Sequence, residues 1–270
     1  MFENIKAIAM DIDGTITPGS QDPNENTIRC INELHDKGYL LGLSSGRTVS
    51  DMLEKYKIWG VNKQFDFIIG FNGGELYIKE LDKTFSYNPL KKEWIKEIID
   101  FMDEFDVNVH MYKPGVYLSS KETDRAWYSA YKNKRVFTVC DTEEFYKEDS
   151  LGIMFRCPKE IMPSIEKKLE TIKDKPYHGF KTQSTMMEFA HKDCNKGFAL
   201  EKYAEYLKIN IKEIAAFGDT TNDNEMLKRA TGICLLNGSD DAKASAEYIT
   251  DKTVDEDGFV DFVERNILHD

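Results

Sequence analysis

Ile5-Lys6-Ala7-Ile8-Ala9-Met10-Asp11-Ile12-Asp13-Gly14-Thr15 is the stretch on which the reading of this chain turns. Ile5 to Met10 is a short apolar run bounded by turn residues, the mark of a strand buried inside a parallel sheet. Two acids one residue apart, then a glycine, close it. In extended chain such a spacing points both side chains the same way, and Gly14 permits the sharp turn that lets two carboxylates converge on one ligand. The following residues supply the rest of a βαβ pattern. After an irregular stretch from Gly14 to Asn24, the residues Ile28, Ile31 and Leu34 recur at helical spacing, with Gly38 placed as a C-terminal cap. Tyr39 to Leu43 reads as a second strand, Val49, Met52, Leu53 and Tyr56 as a second helix face, and Phe65 to Ile69 as a third strand. Strands alternating with helices predict an α/β core around a parallel sheet.

The same pattern returns near the C-terminus. Leu200, Tyr203 and Leu207 mark a helix, Ile214 to Phe217, Ile233 to Leu236 and Tyr248 to Thr250 three strands, and Phe259 to Ile267 a last helix. Between these two blocks the texture changes. Trp94, Ile95, Ile98, Ile99, Met102 and Phe105 give a helix followed by closely spaced strands at Val107 to Tyr112 and Val116 to Ser119. A second round has a strand at Gly152 to Arg156, a helix through Ile161, Ile165, Leu169 and Ile172, and strands near Tyr177 and at Met186 to Ala190. The expected organisation is a core of residues 1–80 and 186–270 with an inserted α+β domain at 81–185.

Composition narrows the function. The chain has 270 residues and a formal charge of −12, which repels nucleic-acid phosphates and anionic membrane surfaces. The longest charge-free run, Ala230 to Ser239, is half of what a membrane helix needs. No succession of basic, apolar and small residues opens the chain as a signal peptide would. Five cysteines (Cys30, Cys140, Cys157, Cys194, Cys234), with no C-x-x-C, indicate neither a disulfide framework nor a zinc site. A soluble protein of a reducing cytoplasm is expected, with no nucleic-acid and no membrane partner. The sequence carries no signal for an oligomeric state.

Four short segments could carry chemistry. Ligands of open α/β sheets bind beyond the carboxyl ends of the strands, where Asp11 and Asp13 would stand. Paired acids there suit a Mg²⁺ site together with a nucleophile, because a hard cation takes oxygen ligands and a carboxylate can attack phosphorus. The alternatives are a solvated turn, or a calcium loop, whose flanking register and terminal Glu are missing. Leu43-Ser44-Ser45-Gly46-Arg47 places a hydroxyl and backbone N–H groups at a strand end before a helix, a natural phosphate cradle, with an ordinary N-cap at Ser45 as the plainer reading. Asn195-Lys196-Gly197 opens the Leu200 helix, where a lysine could neutralise phosphate charge or merely face water. Gly218-Asp219-Thr220-Thr221-Asn222-Asp223 gathers acids and an amide at another strand end, though these residues also dominate plain turns.

In this order and at these places, the four segments closely resemble the motifs of the haloacid dehalogenase (HAD) superfamily of phosphohydrolases. The likeness covers the whole core and, less specifically, the insert. Between Asp11 and Ser45 there is room for one loop and one helix only, whereas Ser45 and Lys196 are separated by a domain's length of chain. That arrangement resembles the Cof-like group with a type IIB cap, as do Phe71-Asn72-Gly73-Gly74 and the tail from Tyr248-Ile249-Thr250 to Glu256-Asp257-Gly258. The resemblance implies a Rossmann-like core with an inserted α+β (type IIB) cap domain. It departs from the pattern at Leu236, where a small residue usually precedes the asparagine at Asn237, and at Ser45, which is more often threonine.

What the resemblance implies for the site is specific. Asp11 would be the nucleophile that forms an aspartyl phosphate, and Asp13 the general acid and then base. Mg²⁺ would be held by an Asp11 carboxylate oxygen, the Asp13 backbone carbonyl and the Asp219 carboxylate. Ser45, the Gly46 N–H, Lys196 and Asn222 would hold phosphate, and Asp223 would orient Lys196 or a metal-bound water. The implied activity is hydrolysis of small phosphorylated metabolites: sugar phosphates, pyridoxal phosphate or flavin-related phosphates. The competing readings are a phosphotransferase or phosphomutase using the same aspartyl phosphate, and a non-catalytic sugar-phosphate sensor. The cap would choose the substrate, with His110, Tyr112, Arg125, Trp127, Tyr128 and Glu188 as candidate contacts. Each of these has a plainer reading as core or surface, as has His191.

Overall fold

A computed structural model describes residues 2–19, 21–132 and 134–268. The chain divides into two compact units, Met1–Tyr87 with Cys194–Asp270, and Asn88–Asp193. Along the chain the first unit begins with β1 (Ala7–Asp11), α1 (Glu25–Asp36), β2 (Leu40–Ser44), α2 (Val49–Tyr56), β3 (Phe67–Gly70), β4 (Glu75–Ile78) and β5 (Lys83–Ser86). The second unit holds α3 (Lys92–Met102), β6 (Asn108–Lys113), β7 (Val116–Ser119), α4 (Asp124–Lys132), β8 (Val136–Val139), β9 (Gly152–Arg156), α5 (Met162–Leu169), β10 (Tyr177–Gln183) and β11 (Met186–His191). The first unit resumes with α6 (Lys196–Leu207), β12 (Ile214–Gly218), α7 (Asn224–Arg229), β13 (Thr231–Cys234), α8 (Asp240–Ser245), β14 (Tyr248–Ile249) and α9 (Gly258–Asn266).

The first unit is built on an eight-stranded sheet in the order β14-β13-β12-β1-β2-β3-β4-β5. β14 through β3 are parallel, and β4 and β5 are added antiparallel at one edge. β1 lies at the centre and is buried along its whole length. Its alternate residues feed two cores, as the period of two in a strand requires. Ile8 and Met10 pack with Ile31 and Leu34 of α1, Met52 of α2 and Phe259 and Val263 of α9. Ala7 and Ala9 face Leu200 and Tyr203 of α6 and Met226 of α7. The Tyr203 ring stacks on Phe67 at 4.0 Å between centroids. Helix starts are fixed by side chains that satisfy free N–H groups: Asn24 accepts from Thr27 N at 2.9 Å, and Asn195 from Phe198 N at 2.8 Å, each worth about 1 kcal/mol. α2 is capped by Thr48, which accepts from Asp51 N. Ser45, three residues upstream, is therefore not its N-cap.

The second unit is a six-stranded sheet, β10-β11-β9-β6-β7-β8, antiparallel except for the β7–β8 pair. One face packs Val109, Met111, Leu118, Ile153, Phe155, Met187 and Phe189 against α3 and α5. On the opposite face Tyr117, Met154 and Met186 meet Ala126 and Ala130 of α4.

Two boundaries differ from the sequence expectation of a core at 1–80 and 186–270. β5 extends the first sheet beyond residue 80 through its pairing with β4. β11, expected in the core segment that begins at 186, is hydrogen-bonded between β9 and β10, and its Met187 and Phe189 complete the core of the second unit. The chain therefore passes from one unit to the other at Tyr87 and Asn88, and again at Asp193 and Cys194.

Candidate active site

Asp11 ends β1, directly beside Ser44 at the end of β2, and Asp219 follows β12. The carboxyl ends of adjacent parallel strands therefore place acids from distant parts of the sequence side by side. Asp11, Asp219 and Asp223 form a buried cluster whose carboxylate oxygens lie within 4.8 Å of one another.

Lys196 lies among these acids. It is the first residue of α6, its side chain is fully buried, and its Nζ donates to Asp11 Oδ1 at 2.5 Å and to Asp223 Oδ1 at 2.6 Å. The second oxygen of Asp223 accepts the backbone N–H groups of Asp219 at 3.0 Å and Thr220 at 3.1 Å. Both Asp223 oxygens are thus engaged in holding Lys196 and the β12 loop. Asp219 Oδ1 takes the Thr15 hydroxyl at 3.0 Å, while among the described residues no donor reaches its Oδ2.

With all groups ionised, three carboxylates against one ammonium would leave a net charge of two negatives in a buried space. Burial raises the Asp11 carboxyl to about 8, with Lys196 opposing and Asp223 and Asp219 reinforcing the rise. Burial, then the Asp223 charge, lifts Asp219 to about 6. Burial by itself would release the Lys196 proton, but Asp11 and Asp223 together outweigh it and hold the amine above its ordinary range. An oxygen-only, over-acidic cluster fits a hard divalent cation, which would compensate those two charges. The Asp11 and Asp219 oxygens not engaged by Lys196 or Thr15 are the ones available to it.

Asp13 is not one of the three clustered acids; its expected share in a metal site was through its backbone carbonyl. Its half-exposed carboxylate pairs with Arg47 Nη2 at 2.9 Å and 2.8 Å. Ser45 is buried, with its N–H held by Ile69 O at 2.9 Å and its Oγ accepting from Arg47 N at 3.3 Å. Among the described residues the Gly46 N–H makes no hydrogen bond. Asn222 is exposed and donates to Asn72 Oδ1 at 3.1 Å, while its own Oδ1 accepts from Thr220. The eight residues singled out from the sequence all belong to the first unit.

Four further residues shape the site. Arg47 holds Asp13. Thr15 orients Asp219. Asn72 sits in left-handed backbone with φ 51°, donates its N–H to Ser45 O at 3.1 Å and receives Asn222. Asn237 ties the β1 loop to the C-terminal segment by donating to Gly14 O at 2.9 Å and accepting from Val254 N at 2.7 Å. The unusual Leu236 before it is 41% exposed, so it leaves that clamp undisturbed. Thr15 and Arg47 stood inside the quoted motifs, but their partners are distant in sequence.

In the second unit, His110 is fully buried, Tyr112 and Glu188 are half-buried, and Arg125, Trp127 and Tyr128 are exposed. His191 accepts the Asp193 N–H and lies against Trp94.

Acids, a lysine and free backbone donors are thus gathered at the carboxyl end of a parallel sheet, where open α/β proteins bind their ligands. The chain belongs to the haloacid dehalogenase-like hydrolase family, whose model matches residues 8–263. It is 26% identical over 268 residues to the 5-amino-6-(5-phospho-D-ribitylamino)uracil phosphatase YitU of Bacillus subtilis (strain 168), covering 95% of each chain. Its fold matches a haloacid dehalogenase-like hydrolase from Bacteroides thetaiotaomicron with a TM-score of 0.83 at 23% identity, covering 97% of this chain and 99% of that one. It also matches the structure of a HAD subclass IIB sugar phosphatase with a TM-score of 0.79 at 20% identity, covering 96% and 98%. The fold is that of subclass IIB, and hydrolases of this family generally use Mg²⁺.

Proposed function

We propose that this chain is a Mg²⁺-dependent phosphatase that hydrolyses small phosphorylated metabolites through an aspartyl phosphate on Asp11. The observation that carries the reading is the buried array of Asp11, Lys196 and Asp223 beside Asp219. Asp11 is the nucleophile: its carboxylate attacks phosphorus, and the ester oxygen leaves. Asp13, half-exposed at the site's edge beside Arg47, gives the leaving oxygen a proton. It later takes one from the water that cleaves the acyl phosphate. Ser45, the Gly46 N–H and Asn222 hold phosphoryl oxygens, and Lys196 neutralises charge between nucleophile and phosphate. Asp223 keeps Lys196 in place. Asp11, the Asp13 carbonyl and Asp219 would hold Mg²⁺, which when bound supplies the positive charge that lets an anionic nucleophile approach an anionic phosphate.

The substrate class is a sugar phosphate or a flavin-related phosphate, in keeping with the names of the relatives above, with pyridoxal phosphate a further member. The protein acts in the cytoplasm on this reading, in keeping with its free cysteines. Phosphate release from a panel of sugar phosphates, pyridoxal phosphate, 5-amino-6-(5-phospho-D-ribitylamino)uracil and p-nitrophenyl phosphate tests it, with Mg²⁺ or EDTA. The expected result is Mg²⁺-dependent release that falls on the order of 10³-fold or more in Asp11→Asn. Equal inactivity of wild type and variant across the panel overturns it. Phosphorylated product without free phosphate would instead identify a phosphotransferase.

A further inference from the structure

Among the described arginines, Arg29, Arg47, Arg229 and Arg265 each pair with a carboxylate. Arg125 and Arg156 do not, although acids outnumber bases by 48 to 36. The two lie close enough for Arg125 to oppose the charge on Arg156. Arg156 ends β9 on the sheet face opposite α3 and α5, in register with Asn108 and Met186. Its Nε and Nη1 are buried and have no hydrogen-bond partner.

Two polar neighbours are unsatisfied as well. His110, on the neighbouring strand and the same face, is fully buried with both ring nitrogens unpartnered. Its ring stacks on Tyr117 at 5.2 Å, and the Tyr117 hydroxyl lies near Arg156 without a hydrogen bond of ordinary geometry. The acid on this face, Glu188, bonds Thr182 and makes no ion pair with Arg156. A half-buried guanidinium with no counter-charge and two buried N–H donors unpartnered is destabilising, and such groups persist where a ligand completes them.

We propose that this face of the second unit is a binding site for the oxyanion group of a small ligand, a carboxylate or a phosphate, held by Arg156 and Arg125 and bordered by His110 and Tyr117. Both oxyanions suit the planar donor set of arginine. The proposal rests on residues of the second unit alone and does not depend on the phosphatase reading.

The test is NMR observation of the arginine Nε–H signals of the full chain, with Arg156 assigned by its loss in Arg156→Lys. Inorganic phosphate and malonate are the two probes. A saturable shift of the Arg156 signal is expected, with a dissociation constant at least about tenfold weaker in the exposed-site variant Arg125→Gln. A response to phosphate alone assigns a phosphate ester, and a response to malonate alone assigns a carboxylate. An unmoved Arg156 signal with both probes, or an affinity unchanged in Arg125→Gln, overturns the proposal. Because the readout needs no turnover, its failure is separate from any failure of the hydrolase assay.

Discussion

Gly14 and Gly38 form a matched pair of probes for whether the β1 loop positions Asp219. Both have left-handed backbone, φ +96° and φ +92°, so alanine at either position adds strain of about 1–3 kcal/mol. Their surroundings differ. A Cβ on Gly38 would meet nothing within 4 Å, whereas one on Gly14 would lie 2.3 Å from Asp219 Oδ2 and 2.9 Å from its carboxyl carbon. Real carbon–oxygen contacts do not come that close, and the end of a carboxylate gives way more easily than backbone. Asp219 would therefore rotate and lose the Thr15 bond that now fixes its other oxygen. A displaced ligand or its support typically weakens metal affinity by about 10–100-fold. Gly14→Ala and Gly38→Ala should thus show similar drops in melting temperature, while only Gly14→Ala needs about 10–100-fold more Mg²⁺ for half-maximal phosphate release. The assay is a Mg²⁺ titration of initial rate beside a thermal melt. Unchanged Mg²⁺ dependence in Gly14→Ala, at a melting loss equal to that of Gly38→Ala, would refute the link between this loop and the metal.

Lys196→Met leaves Asp11 and Asp223 buried without their shared cation, so stability should fall by about 3–5 kcal/mol and activity should be lost; denaturant melts and phosphate release check both. Asn72→Gly keeps the left-handed backbone and removes only the amide that supports Asn222. KM should rise about 5–10-fold, the equivalent of one hydrogen bond, with a smaller change in kcat, and steady-state kinetics decide it. Burial holds the His110 imidazole down at about 3, with the Arg156 charge adding to the effect. The unfolded chain protonates the same group near 6.5, so the unfolded state binds more protons between those values. His110 therefore makes stability fall with acidification at up to about 1.4 kcal/mol per pH unit from 6.5 toward 3. Denaturant midpoints of His110→Phe should show a shallower decline across that window; an identical slope would show that His110 does not titrate as proposed.

What could be read from the chain depended on how far each signal reaches. The alternation of Ala7, Ile8, Ala9 and Met10 and the acids that end β1 are local, and so is the helical face of Ile31 and Leu34; both reappear in the sheet and its two cores. α4 left no such trace, since its buried side is only Ala126 and Ala130 while Trp127, Tyr128 and Tyr131 face outward, so no apolar stripe marks it. β5, with the exposure of an edge strand, reads as a polar loop. The boundary near residue 186 misled because β11 runs almost directly into α6, with only a short turn and no linker composition between.

The site shows the same division more sharply. Each motif announced a residue type at a strand end or a helix start, and chemistry suggested its use, but the partners were set by the fold. Asp223 could be read as an acid in a turn; only the fold shows its two oxygens bonded, one to Lys196 and the other to the β12 loop. Asp13 could be read as a twin of Asp11, yet the pair face different surroundings. Asp11 is buried against a lysine and two acids, and Asp13 is half-exposed against Arg47. That difference suits different tasks: a buried carboxylate is held in line by fixed neighbours, and one at the edge can reach both leaving group and water. On the proposed mechanism, the separation of nucleophile from acid–base is a property of where β1 ends relative to β2 and α6, which no spacing within Asp11-Ile12-Asp13 could express.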